Sequence, residues 1–415
     1  MTNPWPPHER ERKDSCLEAN LRPGAHLRLG PPSSAPTPQH QRVKPLPRIR
    51  IDGLEKIGEH GALGIVPNIP ASPTDGPKMG LPFSLTRSMA GYVMRRRWSG
   101  QRMFPLVLML EPLHACNLKC VGCGRIREYA QTLRQSLSLD ECLAADDECQ
   151  APVVSICGGE PLLYPPLEAL IERLIDRGRH VYLCTNGTLL ARRLASLPPS
   201  DRLFLNIHLD GMEQTHDAIA GRPGVFGQAI EGIRAAKKAG FRVCTNTTLY
   251  RQTDPHEIVV LFEYLTSLGV DGFLIAPAYG YEAVCRSGGD AIFLTRQEAH
   301  SRFRQLRPLL KRFRVWASPI YLDFLAGDRD LACAAWANPT RNLQGWKGPC
   351  YLITDAHYSS YRELLEHTHW EHLGPGRDPR CQNCLMHCGF EPAAVLAAQQ
   401  RLGDAVRMAW HSLRG

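Results

Sequence analysis

The chain has 415 residues, 43% of them apolar and 22% charged, with a net charge of +8. That composition can build a core, the charge is too mild to argue for a nucleic-acid partner, and the longest apolar run, Phe104–Leu110, is too short to span a bilayer. Fifteen cysteines behind a polar, Pro-rich start with no secretory signal predict a soluble cytoplasmic protein that uses thiols for metal, iron–sulfur or catalytic chemistry rather than for disulfides.

Residues 1–78 hold 14 of the 33 prolines and show no sustained period. They predict a disordered extension, or a start codon placed too early, because ordered pattern begins directly after Met79. Residues 79–103 predict an amphipathic helix over Leu81–Trp98, with Leu85, Met89, Tyr92 and Val93 on one face. Arg87, Arg95, Arg96, Arg97 and Arg102 make it basic. It either packs on the core with a solvated basic face or lies peripherally on an anionic inner-membrane surface.

Residues 104–318 alternate strand and helix. Strands are expected at Leu106–Glu111, Val153–Cys157, His180–Cys184, Leu203–Leu209, Arg242–Leu249 and Gly272–Pro277. Helical patterns follow at Ser138–Glu148, Pro166–Arg177, Leu189–Ser196, Val225–Ala239, Pro255–Leu268 and Thr295–Phe313. Six β/α units in a row predict an α/β fold with a parallel sheet and helices outside, a partial (β/α)6 barrel or a closed one, with functional residues at the C-terminal strand ends. Residues 319–415 read as a small cysteine-rich C-terminal module ending in helix.

Cys116, Cys120 and Cys123 form a CxxxCxxC run directly after the first strand. Zinc sites prefer four protein ligands. Three thiolates on one short loop suit a cubane iron–sulfur cluster with one corner left open. A structural zinc, or inert cysteines, is the plainer alternative. The second strand ends in Gly158-Gly159-Glu160-Pro161, where glycines permit close backbone approach and Glu160 can accept from an ammonium group. The third ends in Cys184-Thr185-Asn186-Gly187 and the fourth in His208-Leu209-Asp210-Gly211.

On these motifs the sequence resembles the radical S-adenosylmethionine (SAM) superfamily. The resemblance implies a 4Fe–4S cluster on Cys116, Cys120 and Cys123, with SAM held by Gly158, Gly159, Glu160, Thr185, Asn186 and His208. Many relatives carry Ser where His208 stands, and a structural histidine capping the strand is an equal reading. The segments LVLMLEPLHACNLKCVGCG, APVVSICGGEPLL, VYLCTNGTLL, APAYGYE and PCYL…CQNCLMHCGFEPAAV further resemble the hopanoid-biosynthesis radical SAM proteins, the adenosylhopane synthases, over residues 79–415. That implies a transferase that adds the 5′-deoxyadenosyl group of SAM to the alkene of diploptene, a hydrophobic triterpene. An external electron donor such as flavodoxin or ferredoxin would supply the reductant. The adduct radical needs a hydrogen atom, and Cys184 at the barrel mouth is the candidate donor, with Cys157 next. The plainer reading of Cys184 is a small buried hydrophobe.

Cys333, Cys350, Cys381, Cys384 and Cys388 offer a second iron–sulfur cluster by analogy with auxiliary-cluster relatives, although their spacing departs from the full pattern. A zinc site using Cys384, His387 or Cys388, or free thiols, are the alternatives. Cys16, Cys142, Cys149, Cys244 and Cys285 have no spacing partner and read as structural. Tyr279, Tyr281, Trp316, Tyr321, Phe324 and Trp336 either line a substrate pocket or belong to the core. Two competing functions remain: a radical SAM maturase of a peptide or small molecule with an auxiliary cluster, and a non-catalytic zinc protein that binds nucleic acid.

Overall fold

The computed structural model describes residues 83–413, and the expected disorder of residues 1–78 lies outside the described residues. Six parallel strands form in chain order: β1 (Val107–Leu110), β2 (Val153–Ile156), β3 (His180–Thr185), β4 (Leu203–His208), β5 (Arg242–Leu249) and β6 (Gly272–Pro277). Each is within a residue or two of its expected bounds. The helices between them start where the sequence supplies caps. Ser138 and Glu141 form a capping box on the helix Leu139–Cys149, and Thr295 and Glu298 do so on Arg296–Leu310. Asp254 caps Pro255–Ser267 with Pro at its first position. The fold is an α/β partial barrel.

The C-terminal segment does not stand apart from this sheet. It supplies β7 (Thr340–Asn342), parallel to β1 with Met109 opposite Thr340, and then β8 (Gly345–Pro349) and β9 (Thr354–Tyr358) as an antiparallel extension. The result is one nine-stranded sheet in the order β6-β5-β4-β3-β2-β1-β7-β8-β9. Cysteine and glycine density masked these strands in the sequence, because strands of three to five residues carry too little periodicity to register.

Strand alternation divides the sheet. Val154, Ile156, Val181, Leu183, Leu205, Ile207 and Val243 point into the helix-covered core. The alternate positions, Ser155, Tyr182, Cys184, Asn206, His208 and Asn246, line the opposite face. Tyr182, Phe204 and Trp316 close that face at its lower end, and Trp316 packs so tightly that a Cβ at Gly272 would lie 2.1 Å from its ring. Of the aromatics considered as pocket lining, Trp316, Tyr321 and Phe324 are therefore core. Trp336 packs against Phe104.

The amphipathic helix forms as Phe83–Trp98, but its apolar face is not offered to a membrane. Leu85, Tyr92 and Val93 are buried, and Tyr92 and Val93 pack with Phe104, Leu106, Ala337 and Leu396. The apolar face packs on the core, the first of the two arrangements the sequence allows. Among the described residues no helix is long and apolar enough to cross a membrane.

Burial holds His180, His216 and His357 each at about 4, well below the usual imidazole value. The unfolded chain binds protons at these positions between pH 6.5 and 4 and the native chain does not, so stability falls as pH drops through that window. His114 and His387, also held at about 4, add to this effect, while Glu391, which burial raises to about 7, and the raised Glu160 and His208 act in the opposite direction. The melting temperature should drop by about 5 °C or more between pH 7 and pH 5. A flat profile in a pH-resolved thermal melt would contradict this.

Candidate active site

The C-terminal ends of β1, β2, β3 and β4 converge on the CxxxCxxC loop. Cys116, Cys120 and Cys123 are partly buried, with Leu118 and Val225 packed beneath. The Leu118 backbone N–H donates to Cys116 Sγ at 3.4 Å, and Asn186 Nδ2 lies 4.0 Å from the same sulfur. Burial raises Cys116 to about 11 and Cys120 to about 12, and neighbouring sulfurs add to the effect. Such thiols ionise when a cation takes the place of the proton.

The two glycines after β2 pack against the chain's own backbone. Gly158 has φ +105°, and a Cβ at Gly159 would lie 1.9 Å from the Ala115 carbonyl oxygen. Gly159 N donates to Leu113 O at 3.0 Å and Glu160 N to Ala115 O at 2.7 Å. These contacts lock the exit of β2 onto the loop that carries the cysteines. The close approach described here is backbone to backbone.

Glu160 is 1% exposed and ties three segments together. Its Oε1 accepts from Leu162 N at 3.0 Å and Thr185 Oγ1 at 2.7 Å, and its Oε2 accepts from Asn186 N at 2.9 Å. Three of about four acceptor positions are filled, which leaves one for an incoming ammonium. Burial raises the Glu160 pKa in spite of these bonds, so a cation at the vacant position would relieve a real electrostatic cost. Asn186 Nδ2 donates to Asn117 Oδ1 at 2.9 Å, and Asn117 Nδ2 to Thr188 Oγ1 at 2.8 Å, joining the strand-three exit to the cysteine loop.

His208 has both ring nitrogens engaged within the chain. Nε2 lies 2.9 Å from Asp210 Oδ2, and Nδ1 lies 3.3 Å from Asn246 Nδ2. Burial disfavours its charged form, yet the Asp210 carboxylate outweighs that and raises its pKa. This geometry fits the histidine that caps the strand. Cys184 Sγ lies on the face opposite the helices, 3.3 Å from Ser155 Oγ and 3.4 Å from Asn206 Nδ2. Cys157 is buried, and the Glu111 carboxylate nearby adds to the rise that burial gives its pKa.

A buried ion network under the cysteine loop had no signal in the sequence. Glu111 is fully buried, and its Oε1 lies 2.7 Å from Arg125 Nε. Arg125, two residues past Cys123, also pairs with Glu128 at 3.3 Å and stacks over the Tyr351 ring at 4.1 Å. Lys347, 1% exposed, lies 3.4 Å from Glu128 Oε1, and burial lowers its pKa to about 8. The network joins the cysteine loop to β8 of the C-terminal segment. Each residue looks like an ordinary surface charge in the sequence, and only the pairing of β7 with β1 brings them together.

The C-terminal cysteines gather beyond this network. Cys350, Cys381, Cys384 and Cys388 pack together with Tyr279, Tyr281 and Tyr351. A Cβ at Gly389 would lie 2.5 Å from Cys333 Sγ, which brings the fifth sulfur beside Cys388. Cys350 lies within electrostatic reach of each of the other four. Leu352 N donates to Cys350 Sγ at 3.4 Å, the same i+2 contact at the same distance as Leu118 N to Cys116. Zn–S bonds of about 2.3 Å hold thiolates about 3.8 Å apart. Among the described residues, the only three such donor groups within 4.8 Å of one another are His369, Glu371 and His372, all exposed. Neither cysteine group brings three sulfurs within 4.8 Å of one another. Cys142 and Cys244 bond to Tyr164 and Asn206, as structural cysteines do.

Comparison with known proteins agrees with this geometry. Residues 110–265 match the radical SAM superfamily, and residues 273–408 match a domain of unknown function, DUF3463. The chain is 33% identical over 170 residues to the AdoMet-dependent heme synthase of Methanosarcina barkeri, covering 40% of this chain and 48% of that protein. It is 29% identical over 282 residues to the pre-heme d1 synthase of Dinoroseobacter shibae, covering 63% and 68%. The chain spans about half the length of most of the curated relatives it matches. Among solved structures, Streptococcus suis SuiB bound to S-adenosylmethionine aligns with a TM-score of 0.46 at 16% identity, over 60% of this chain and 61% of that one. Residues 110–265 are thus a radical SAM domain, and the cofactors of that superfamily are a 4Fe–4S cluster and S-adenosylmethionine.

Proposed function

We propose that the protein transfers the 5′-deoxyadenosyl group of SAM to the terminal alkene of a polycyclic triterpene such as diploptene, as the sequence resemblance implies. Cys116, Cys120 and Cys123 would hold the cluster, and Glu160, with Thr185 and Asn186, would receive SAM. With both bound, the cofactors supply one-electron cleavage of SAM to a 5′-deoxyadenosyl radical. An external one-electron protein such as flavodoxin or ferredoxin would feed the reaction.

The observation that carries the reading is the placement of Cys184. Its thiol sits on the face opposite the helices, at the strand whose exit also holds Thr185 and Asn186. Burial raises its pKa, so the sulfur keeps its hydrogen at neutral pH, and Ser155 and Asn206 hold it in place. Addition of the adenosyl carbon to the alkene would leave a carbon-centred radical, Cys184 would give that carbon its hydrogen atom, and the sulfur-centred radical left on Cys184 would return to thiol with a second electron from the same external donor and a proton from water. Cys184→Ala should therefore still cleave SAM while losing at least about tenfold in adduct. Anaerobic turnover with SAM and diploptene, followed by mass spectrometry, tests both claims. Wild-type protein that gives only 5′-deoxyadenosine with diploptene present would remove the substrate assignment, and undiminished adduct from Cys184→Ala would remove the donor.

The gathering of Cys333, Cys350, Cys381, Cys384 and Cys388 favours a second reading, a maturase with an auxiliary iron–sulfur cluster acting on a peptide or small molecule.

A further inference from the structure

The helix Leu402–Leu413 presents its apolar face to water. Leu402, Val406 and Trp410 recur every four residues, share one face and are each more than half exposed. The inward face is the polar one. Asp404 is held there by both Arg329 nitrogens, at 2.9 and 2.7 Å, beside a partly buried Met408. A folded monomer ordinarily turns such a helix the other way. The helix Phe83–Trp98 packs alongside and ends in the same character. Its Met94 is half exposed, Trp98 is 80% exposed, and Met103 follows in the next loop.

Charge identifies what this surface meets. Arg95, Arg97 and Arg102 are interleaved with Met94, Trp98 and Met103, and all three are exposed. Residues 94–103 contain no acid, and the only acid in residues 399–413 is Asp404, already neutralised by Arg329. A second protein offers apolar surface but no reason for an acid-free basic margin. Tryptophan and methionine on exposed helix faces, flanked by arginine, are the composition of elements that lie in the headgroup region of an anionic bilayer. Exposed tryptophan, leucine, valine and methionine on two packed helices are uncommon on proteins that stay in bulk water.

We propose that the paired helices Phe83–Trp98 and Leu402–Leu413 form a peripheral docking surface for an anionic lipid bilayer, through Met94, Trp98, Leu402, Val406 and Trp410 with Arg95, Arg97 and Arg102 at the margin. This surface is distinct from the Leu85–Tyr92 face that the core buries, and the inference stands without the triterpene substrate.

The test is co-sedimentation of the full chain with vesicles of mixed phosphatidylglycerol and phosphatidylcholine, and with vesicles of phosphatidylcholine alone. Binding should appear with the anionic vesicles, weaken with salt and shift tryptophan emission to the blue. Trp98→Glu combined with Val406→Glu should lower vesicle affinity about tenfold or more. Replacing Arg95, Arg97 and Arg102 by alanine should cost on the order of a hundredfold on anionic vesicles and little on neutral ones. Because these side chains are exposed, the variants should melt with the wild type, and Val406→Gln gives a milder check of the same face. Absence of vesicle binding would overturn the proposal. So would a concentration-dependent dimer abolished by the same substitutions, which assigns the face to a second copy, or binding gained only after removal of residues 1–78, which assigns it to the chain's own N-terminal segment.

Discussion

Alanine at Cys116, Cys120 or Cys123 should reduce SAM cleavage to background and remove about four iron atoms per chain, while Cys350→Ala should remove about four others and leave SAM cleavage largely intact. The first half follows from the ligand count. The chain offers three thiolates on this loop, and a cubane held at three corners has a single position left for SAM. Removing one thiolate opens a second corner to water and destroys the geometry against which Glu160 and Asn186 are aligned. The second half follows from the separation of the two cysteine groups by the network of Glu111, Arg125 and Lys347. Iron and sulfide analysis with electron paramagnetic resonance on anaerobically reconstituted protein reads both outcomes. Iron unchanged by Cys350→Ala would mean that Cys350 is not a cluster ligand, and only about four irons in the wild type would mean that the five C-terminal thiols hold no cluster. Retained cleavage in the loop variants would overturn the assignment of the CxxxCxxC cysteines.

Glu111→Ala should destabilise the protein by about 3–5 kcal/mol, the cost of leaving a buried charge without its partner. Arg125 would remain in the interior with only Glu128, the Tyr351 carbonyl and an aromatic face to balance it. Replacing both partners, as in Glu111→Leu with Arg125→Met, removes the charges together and should recover much of that loss. Chemical denaturation measures the two stabilities, and a single variant as stable as the wild type would show that the pair does not hold this interface. Activity separates two roles. If the double variant is stable but cleaves SAM poorly, Arg125 positions the loop on which Cys123 sits. If it cleaves normally, the pair is structural alone.

The six β/α units were legible because parallel strands buried on both faces leave apolar runs, and because Ser138, Asp254 and Thr295 mark helix starts in local chemistry. The CxxxCxxC loop was legible for the same reason, since its meaning depends on spacing along the chain. The Glu111–Arg125–Lys347 network was not. Its members are 14 and 222 residues apart, and their burial depends on β7 finding β1. The helix Phe83–Trp98 was legible as an element, while its apolar face was open between the core and a membrane. Periodicity reveals that a helix has an apolar side, but only tertiary packing decides what covers it. The same limit concealed Leu402–Leu413, whose pattern is that of an ordinary core helix turned around.

The pairing of β7 with β1 has a consequence for how the chain is made. β1 is among the first strands to leave the ribosome, and one of its two edges is completed only by Thr340 and Arg341, some 230 residues later. At about 5–20 residues per second, that edge stays open for on the order of 10 to 50 seconds of synthesis. Throughout that interval the nascent protein carries an unpaired strand directly joined to three reactive thiols, an arrangement prone to misassociation and oxidation. The Arg125 pocket cannot close either, because Lys347 and Tyr351 have not yet been translated. A chain shortened before residue 340 would be left with an exposed sheet edge beside its cysteine loop.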